Sequence, residues 1–471
     1  MSCFPSICPG EQTSGPACGS AERNAAASRA VPPRGVLVNY CYLSRAYGTR
    51  RDAARSRSML PPAVPPPSLH RGPPSTRIRV ADAALRRLWA AGWAETPSLD
   101  PAVLITKAAR RAKVAPDEDR VGWRRRLALL CDDLEGPAQL SGLGRTIAHG
   151  QLVGALATRF RAHALWRRHP EIAAQPIAAP VIVVGQMRSG STRVQRLLAC
   201  DPRLTYTRFY EGWHPVGAGT ARLDSRRLKG RVGLACAHAL NPDFAAIHPT
   251  SLDAADEEIG LHNVSIFGAA FEAQWRVPGF TAAVEQDDAA PVYAEFRQLL
   301  QTIRWQRRER CARPWILKVP QFAQDLPSLL GAFPDARLIH LHRDAEAVVA
   351  SSASLVCNQM RLQSHHVDPA WIGAEWRRKV LLRATRTAAA RARADVPQLD
   401  LAYDDVDADW LGEMRRVYQL LGLPLTAGVS AAMHAYVAAT APGRRAPHRY
   451  DPVAYGLAPT PTLPTGAAVA A

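Results

Sequence analysis

The chain has 471 residues, 47% of them hydrophobic and 21% charged, which are ordinary globular proportions with room for one large domain or two smaller ones. Its net charge is +18, but eleven arginines against Glu11, Glu22 and Asp52 put +8 of that within residues 1–80, so the excess is not by itself an argument for a nucleic-acid partner. No apolar run approaches the roughly 20 residues a membrane helix needs, and no basic start with an apolar core marks a leader. The nine cysteines contain no CxxC pair or ligand-spaced Cys/His set, which argues against a zinc site and a disulfide framework. A cytoplasmic protein is expected.

Residues 1–76 are rich in Pro, Ala, Ser, Gly and Arg and keep no helical or alternating period, so a disordered tail is predicted, with Met59 a conceivable start. A helical region follows over 77–176. Ala81, Ala84, Leu85, Leu88 and Trp89 recur at helix spacing, Asp100-Pro101 reads as an N-cap and first helical turn, and two further stripes carry Leu127, Leu130, Cys131 and Leu134, then Leu152, Leu156 and Phe160.

From Pro180 the texture changes. Four short apolar runs, beginning at Val181, Trp315, Arg337 and Leu399, are each followed by a helical pattern. Strands alternating with helices predict an α/β fold with a central parallel sheet, three-layered and P-loop-like, over 177–457, with a second disordered tail over 458–471. Ligands of such sheets lie beyond the carboxyl ends of the strands.

Polar residues cluster at those ends. Gly185-Gln186-Met187-Arg188-Ser189-Gly190-Ser191-Thr192 nearly fits the phosphate-binding pattern GxxxxGK[ST]. Its amides and helix start form an anion nest, and Arg188, Ser189, Ser191 and Thr192 add one cation and three hydroxyls. Ser191 stands where a nucleoside-triphosphatase has its lysine, which argues against ATP or GTP hydrolysis.

The run PVIVVGQMRSGSTRVQRLL resembles the 5′-phosphosulfate loop of the sulfotransferase superfamily. It is nearest to the branch shared by bacterial and tyrosylprotein sulfotransferases, with Met187 for the usual Pro and Ser191 for the first Thr of a PRSGTT-type loop. In LIHLHRDAEAVVASSASL, Arg343 and Ser351 resemble the family's 3′-phosphate site. In ARPWILKVPQF, Lys318 resembles the lysine at the sulfuryl-bridging oxygen, and Pro320 stands where cytosolic members carry a catalytic His.

The resemblance implies 3′-phosphoadenosine 5′-phosphosulfate as donor, no metal, and a small-molecule or peptide acceptor. The cofactor set would be Arg188, Ser189, Gly190, Ser191, Thr192, Arg343, Ser351, Tyr403 (beside the adenine), and Arg444 and Arg445 in a closing basic loop. Arg188 and Lys318 would be catalytic cations. Glu211, in RFYEGW, lies where the tyrosylprotein branch has its base; a glutamate capping the next element is the other reading. His248, Glu257, Glu258 and His262, in HPTSLDAADEEIGLH, resemble residues bordering the acceptor pocket in the bacterial branch. His340 and His342 share a strand face without a third ligand and are expected to line core or cleft.

Two other readings remain open at the level of sequence. One is a P-loop kinase or NTPase, with Asp344 as the magnesium acid. The other is a basic nucleotide- or nucleic-acid-binding module without turnover, although no aromatic interleaving along a basic groove favours it.

Overall fold

The structure is a computed structural model and describes residues 75–217, 225–242, 248–309, 311–440 and 451–457. The expectations for residues 1–74, for Arg444 and Arg445, and for 458–471 lie outside the described residues.

Four helices come first: α1 (Thr76–Ala90), α2 (Pro101–Ala112), α3 (Trp123–Glu135) and α4 (Gly142–Arg168). Then follow β1 (Val181–Gly185), α5 (Ser191–Leu198), β2 (Thr205–Tyr206), α6 (Phe209–Trp213), α7 (Ser225–Leu240), α8 (Ile259–Asn263), α9 (Ala269–Gln274), α10 (Pro278–Gln286) and α11 (Ala290–Arg307). The chain continues through β3 (Trp315–Leu317), α12 (Leu326–Ala332), β4 (Arg337–His342), α13 (Ala345–Gln363), α14 (Pro369–Arg391), β5 (Gln398–Ala402), α15 (Tyr403–Ala408), α16 (Trp410–Leu421) and α17 (Ala427–Thr440).

The strands form one sheet in the order β2-β3-β1-β4-β5, with every neighbouring pair parallel. Each strand of the sheet's centre is apolar on both faces, as a sheet covered by helices on both sides requires. Alternation splits β1 between two cores. Ile182 and Val184 face a core shared with Leu152, Leu156 and Phe160 of α4 and with α11. Val181 and Val183 face Val194 and Leu197 of α5 and Val417 of α16. The leading helices therefore pack into the same core as the sheet.

Local signals set several boundaries. Asp100 caps α2 by accepting from the Val103 amide at 2.9 Å, with Pro101 at the first helical position, as the sequence predicts. Arg159 of α4 was not foreseeable. It is fully buried, reaching Asp117 Oδ2 at 2.8 Å and Glu295 Oε2 at 2.7 Å. Burial alone raises the Glu295 carboxyl, but hydrogen bonds from His163, Arg159 and Ser265 hold it down to about 2.

The chain leaves β1 toward β2 on one side and leaves β4 toward β5 on the other, so the crossovers part between these neighbours. Such a switch point opens a crevice beyond the carboxyl ends of the two strands. Register puts Gly185 opposite Leu341, so the loop after β1 and Arg343 after β4 meet there.

Candidate active site

The loop after β1 bends through two left-handed residues, Arg188 (φ 71°) and Gly190 (φ 89°). Gly190 is required on two counts. It takes a positive φ, and a Cβ there would lie 2.8 Å from Tyr403 Cδ2. As the N-cap of α5 it supplies no side-chain acceptor, and although its carbonyl accepts from the Arg193 amide at 2.9 Å, the amides of Ser191 and Thr192 are left to a ligand. Ser189 Oγ, buried in the loop, has no hydrogen-bond partner. An anion held by the first turn of α5 would meet unspent donors, so the residues present fit a phosphate group.

Arg188 is held in its strained conformation from two sides. Its Nε donates to Ser351 Oγ at 3.0 Å, and its carbonyl accepts from Arg343 Nη1 at 2.7 Å. The Arg343 guanidinium also stacks 4.2 Å from the centre of the Tyr403 ring. Strain kept in place by surrounding contacts is characteristic of ligand-binding loops. Arg188, Ser189, Gly190, Arg343, Ser351 and Tyr403, drawn from four separate stretches of chain, thus form one cluster.

Lys318 enters from the end of β3. Its ammonium donates to Thr192 Oγ1 at 3.0 Å and pairs with Glu257 Oε1. Its backbone amide donates to Glu258 Oε2 at 2.8 Å. Glu258 is fully buried with Oε1 unpartnered, and burial pushes its carboxyl up to about 8 despite the hydrogen bond from the Lys318 amide. Consecutive glutamates thus grip one lysine at both ends. One holds its backbone, while the other stands beside its charge.

His248 lies against Asp256, with Nε2 3.2 Å from Oδ1. Asp256 also accepts from the Glu257 amide at 2.8 Å and from the Thr250 hydroxyl. Against burial, His248 and these donors hold its carboxyl well below the usual range.

Two sequence expectations do not agree with the geometry. Glu211, read as the base, is fully buried as the partner of Arg307, whose Nε donates to Oε1 at 2.9 Å and whose Nη2 donates to Oε2. The same carboxylate accepts from the Arg208 amide at 3.0 Å and the Tyr210 hydroxyl at 3.3 Å. Burial opposes ionisation, yet Arg307 and Arg208 keep the carboxyl below its ordinary value. With its lone pairs spent and no solvent contact, Glu211 acts as the cap of α6. No sequence signal marked Arg307 as its partner.

His262, read as an acceptor-pocket residue, is also fully buried. It stacks on Phe296 at 4.7 Å and meets Tyr293 and Phe322 edge-on. Neither ring nitrogen has a partner, and burial pushes the imidazole down to about 4, so it is a neutral core residue. His340 is likewise buried, 3.0 Å from Gln398 Oε1, while His342 pairs with Asp400.

Residues 180–427 match the model of a family described as the sulfotransferase family. No curated protein matches the chain. Among solved structures, the sulfotransferase STF1 of Mycobacterium tuberculosis H37Rv is 26% identical with a TM-score of 0.66, covering 78% of this chain and 97% of its own. The sulfotransferase STF9 of Mycobacterium avium is 27% identical with the same TM-score, covering 75% of this chain and 92% of its own. With the family match spanning more than half of its length, the chain belongs to the sulfotransferase family.

Proposed function

We propose that the protein transfers the sulfuryl group of 3′-phosphoadenosine 5′-phosphosulfate to an acceptor hydroxyl by in-line displacement, with Glu257 as the base. The observation that carries this reading is the meeting of Lys318 with Thr192 of the loop and with Glu257. It puts a cation, a loop hydroxyl and a carboxylate together at the end of β3.

When bound, the nucleotide supplies a sulfuryl group activated by a phosphate leaving group. The chain's own residues divide the remaining work. The first-turn amides of α5, with Ser189, Ser191 and Thr192, hold the 5′-phosphosulfate at the positive end of the helix. Arg188, Arg343 and Ser351 grip the 3′-phosphate, where an arginine fork suits a dianion. The Tyr403 ring, already stacked on Arg343, supports the adenine, and Arg444 and Arg445 are proposed to close over the site. Lys318 neutralises the charge that gathers on the bridging oxygen as the sulfur–oxygen bond breaks. Glu257 takes the acceptor's hydroxyl proton as the new oxygen–sulfur bond forms. The cation that a nucleoside-triphosphatase draws from its loop here comes from β3, which separates this site from ATP and GTP chemistry.

His248 and Asp256 border the acceptor side next to Glu257. Their role is to hold the 250–257 segment in place rather than to move a proton.

Ligand-dependent thermal denaturation tests the donor. Adenosine 3′,5′-bisphosphate at about 100 times its dissociation constant should stabilise the protein by about 2.7 kcal/mol, whereas AMP, ATP and GTP should do far less. Equal stabilisation by ATP would refute the donor assignment.

A further inference from the structure

Helix α7 is built inside out. Its buried side is Arg226 and Gly230, and Gly230 lies so close to Tyr210 that a Cβ would fall 2.8 Å from the tyrosine's own. Its outer side carries Leu228, Val232, Ala235 and Ala239, all exposed, with Leu228 at 63% and Val232 at 54%. At 3.6 residues per turn these four fall within about 60° of one another and make a single stripe on the surface. Arg231 flanks the stripe on one side and Lys229 on the other. The helix contains four cations, Arg226, Arg227, Lys229 and Arg231, and no acid.

Beside it, Arg77 at the start of α1 reaches the Ala239 carbonyl at 3.5 Å. Helix α1 repeats the pattern. Val80, Ala84 and Leu88 are exposed at i, i+4 and i+8 among Arg77, Arg79, Arg86 and Arg87, and the helix's one acid, Asp82, is buried. Trp93, in the turn that follows, is 82% exposed.

Single exposed apolar residues are commonplace, but two helices joined by Arg77 and each carrying an outward apolar stripe bordered by cations make a patch of the kind that marks an interaction surface. We infer that the α1–α7 face docks on an anionic lipid surface. The charge pattern favours this occupant. A second copy of the same face would bring cations against cations, whereas a bilayer carrying acidic headgroups meets both the stripe and its borders. Helices that expose aliphatic side chains and a tryptophan between cations suit insertion at headgroup depth. On its inner side, opposite the stripe, helix α7 packs through Gly230 against Tyr210 and Leu252, and the Tyr210 amide donates to the Leu252 carbonyl.

Vesicle flotation of the full chain tests the inference. The protein is expected to float with phosphatidylcholine vesicles containing phosphatidylglycerol, not with phosphatidylcholine alone, and to be released by high salt. The double variant L228E/V232E and the single variant Arg231→Glu should lose flotation while keeping the wild-type melting temperature and affinity for adenosine 3′,5′-bisphosphate. Both leave the arginines of residues 1–74 untouched, so unchanged flotation of the variants would assign the binding to that segment and overturn the inference. Failure of the wild type to float would also overturn it, as would a solution dimer that L228E/V232E dissociates. Nucleotide binding is read separately, so failure here is distinguishable from failure of the proposed donor.

Discussion

The backbone amide of Lys318 donates to the Glu258 carboxyl at 2.8 Å, in a place where that carboxyl has no contact with solvent. The bond fixes the end of β3 against the segment that precedes α8, and so sets where the lysine's ammonium and Glu257 meet. It also has a pH signature. Burial raises the Glu258 carboxyl from 4.5 to about 8. Between those values the native state holds a proton that the unfolded chain has released. Glu258 therefore costs stability progressively as pH rises from 4.5 to about 8.

Glu258→Gln, which still accepts from the Lys318 amide, removes that cost. Urea denaturation should show the variant gaining stability relative to wild type as pH is raised across this window. A constant difference between the two proteins would mean that Glu258 does not hold its proton in the native state.

Glu257→Gln should lower kcat about 10²- to 10⁴-fold, the usual contribution of a general base, while the affinity for adenosine 3′,5′-bisphosphate stays near wild type. Sulfate transfer from radiolabelled donor and isothermal titration calorimetry measure the two quantities. Full activity on an acceptor of high pKa would exclude Glu257 as the base.

Glu211→Gln should behave differently from Glu257→Gln. It leaves the buried Arg307 guanidinium with Glu309, 3.2 Å from its Nη1, as its remaining carboxylate partner, and breaking a buried pair typically costs up to about 3–5 kcal/mol. The expected result is a marked loss of stability, read as a lower denaturation midpoint, with residual folded protein still turning over. A stable but inactive Glu211→Gln variant would restore Glu211 to the chemistry.

Arg343→Ala should weaken binding of a 3′-phosphorylated nucleotide while nearly sparing AMP. A hydrogen bond to a charged group contributes about 1.5–3 kcal/mol, so the affinity ratio between the two ligands should shift roughly 10- to 150-fold. Equal weakening for both would mean that Arg343 acts through the loop, by releasing the Arg188 carbonyl and the Tyr403 ring, rather than on the phosphate.

Arg159→Leu should strand Asp117 and Glu295 in the core beneath α4, at a cost of about 3–5 kcal/mol. In the wild type Glu295 stays ionised down to about 2, so the stability it contributes is present above 4.5 and is lost as pH falls from there toward 2. The variant should lose the share of that acid-unfolding profile which Arg159 supplies, with His163 and Ser265 still bonded to Glu295.

The sequence by itself determined the parts of this protein that are local. The β-branched run Val181–Val184 ending in Gly185, the loop through Gly190 and the helix that follows form from neighbouring residues, because turn geometry and apolar periodicity act over a few positions. The spacing of eight positions from Arg343 to Ser351 was legible in the same way, since a strand end and two helical turns fix their separation. Tertiary structure decided which carboxylate meets the lysine. Glu211, Glu257 and Glu258 are equally acidic in the sequence, yet Arg307 claims the first, the lysine's amide the third, and its ammonium the second. The same holds for His262, which a resemblance to the bacterial branch put at a pocket and which its surroundings of Phe296, Tyr293 and Phe322 make core. Burial and ion pairing depend on residues far apart in the chain, 96 positions for Glu211 and Arg307 and 136 for Arg159 and Glu295. No local pattern records which distant partner will fill the space, so a side chain's charge and accessibility are settled only when the helices close over the sheet.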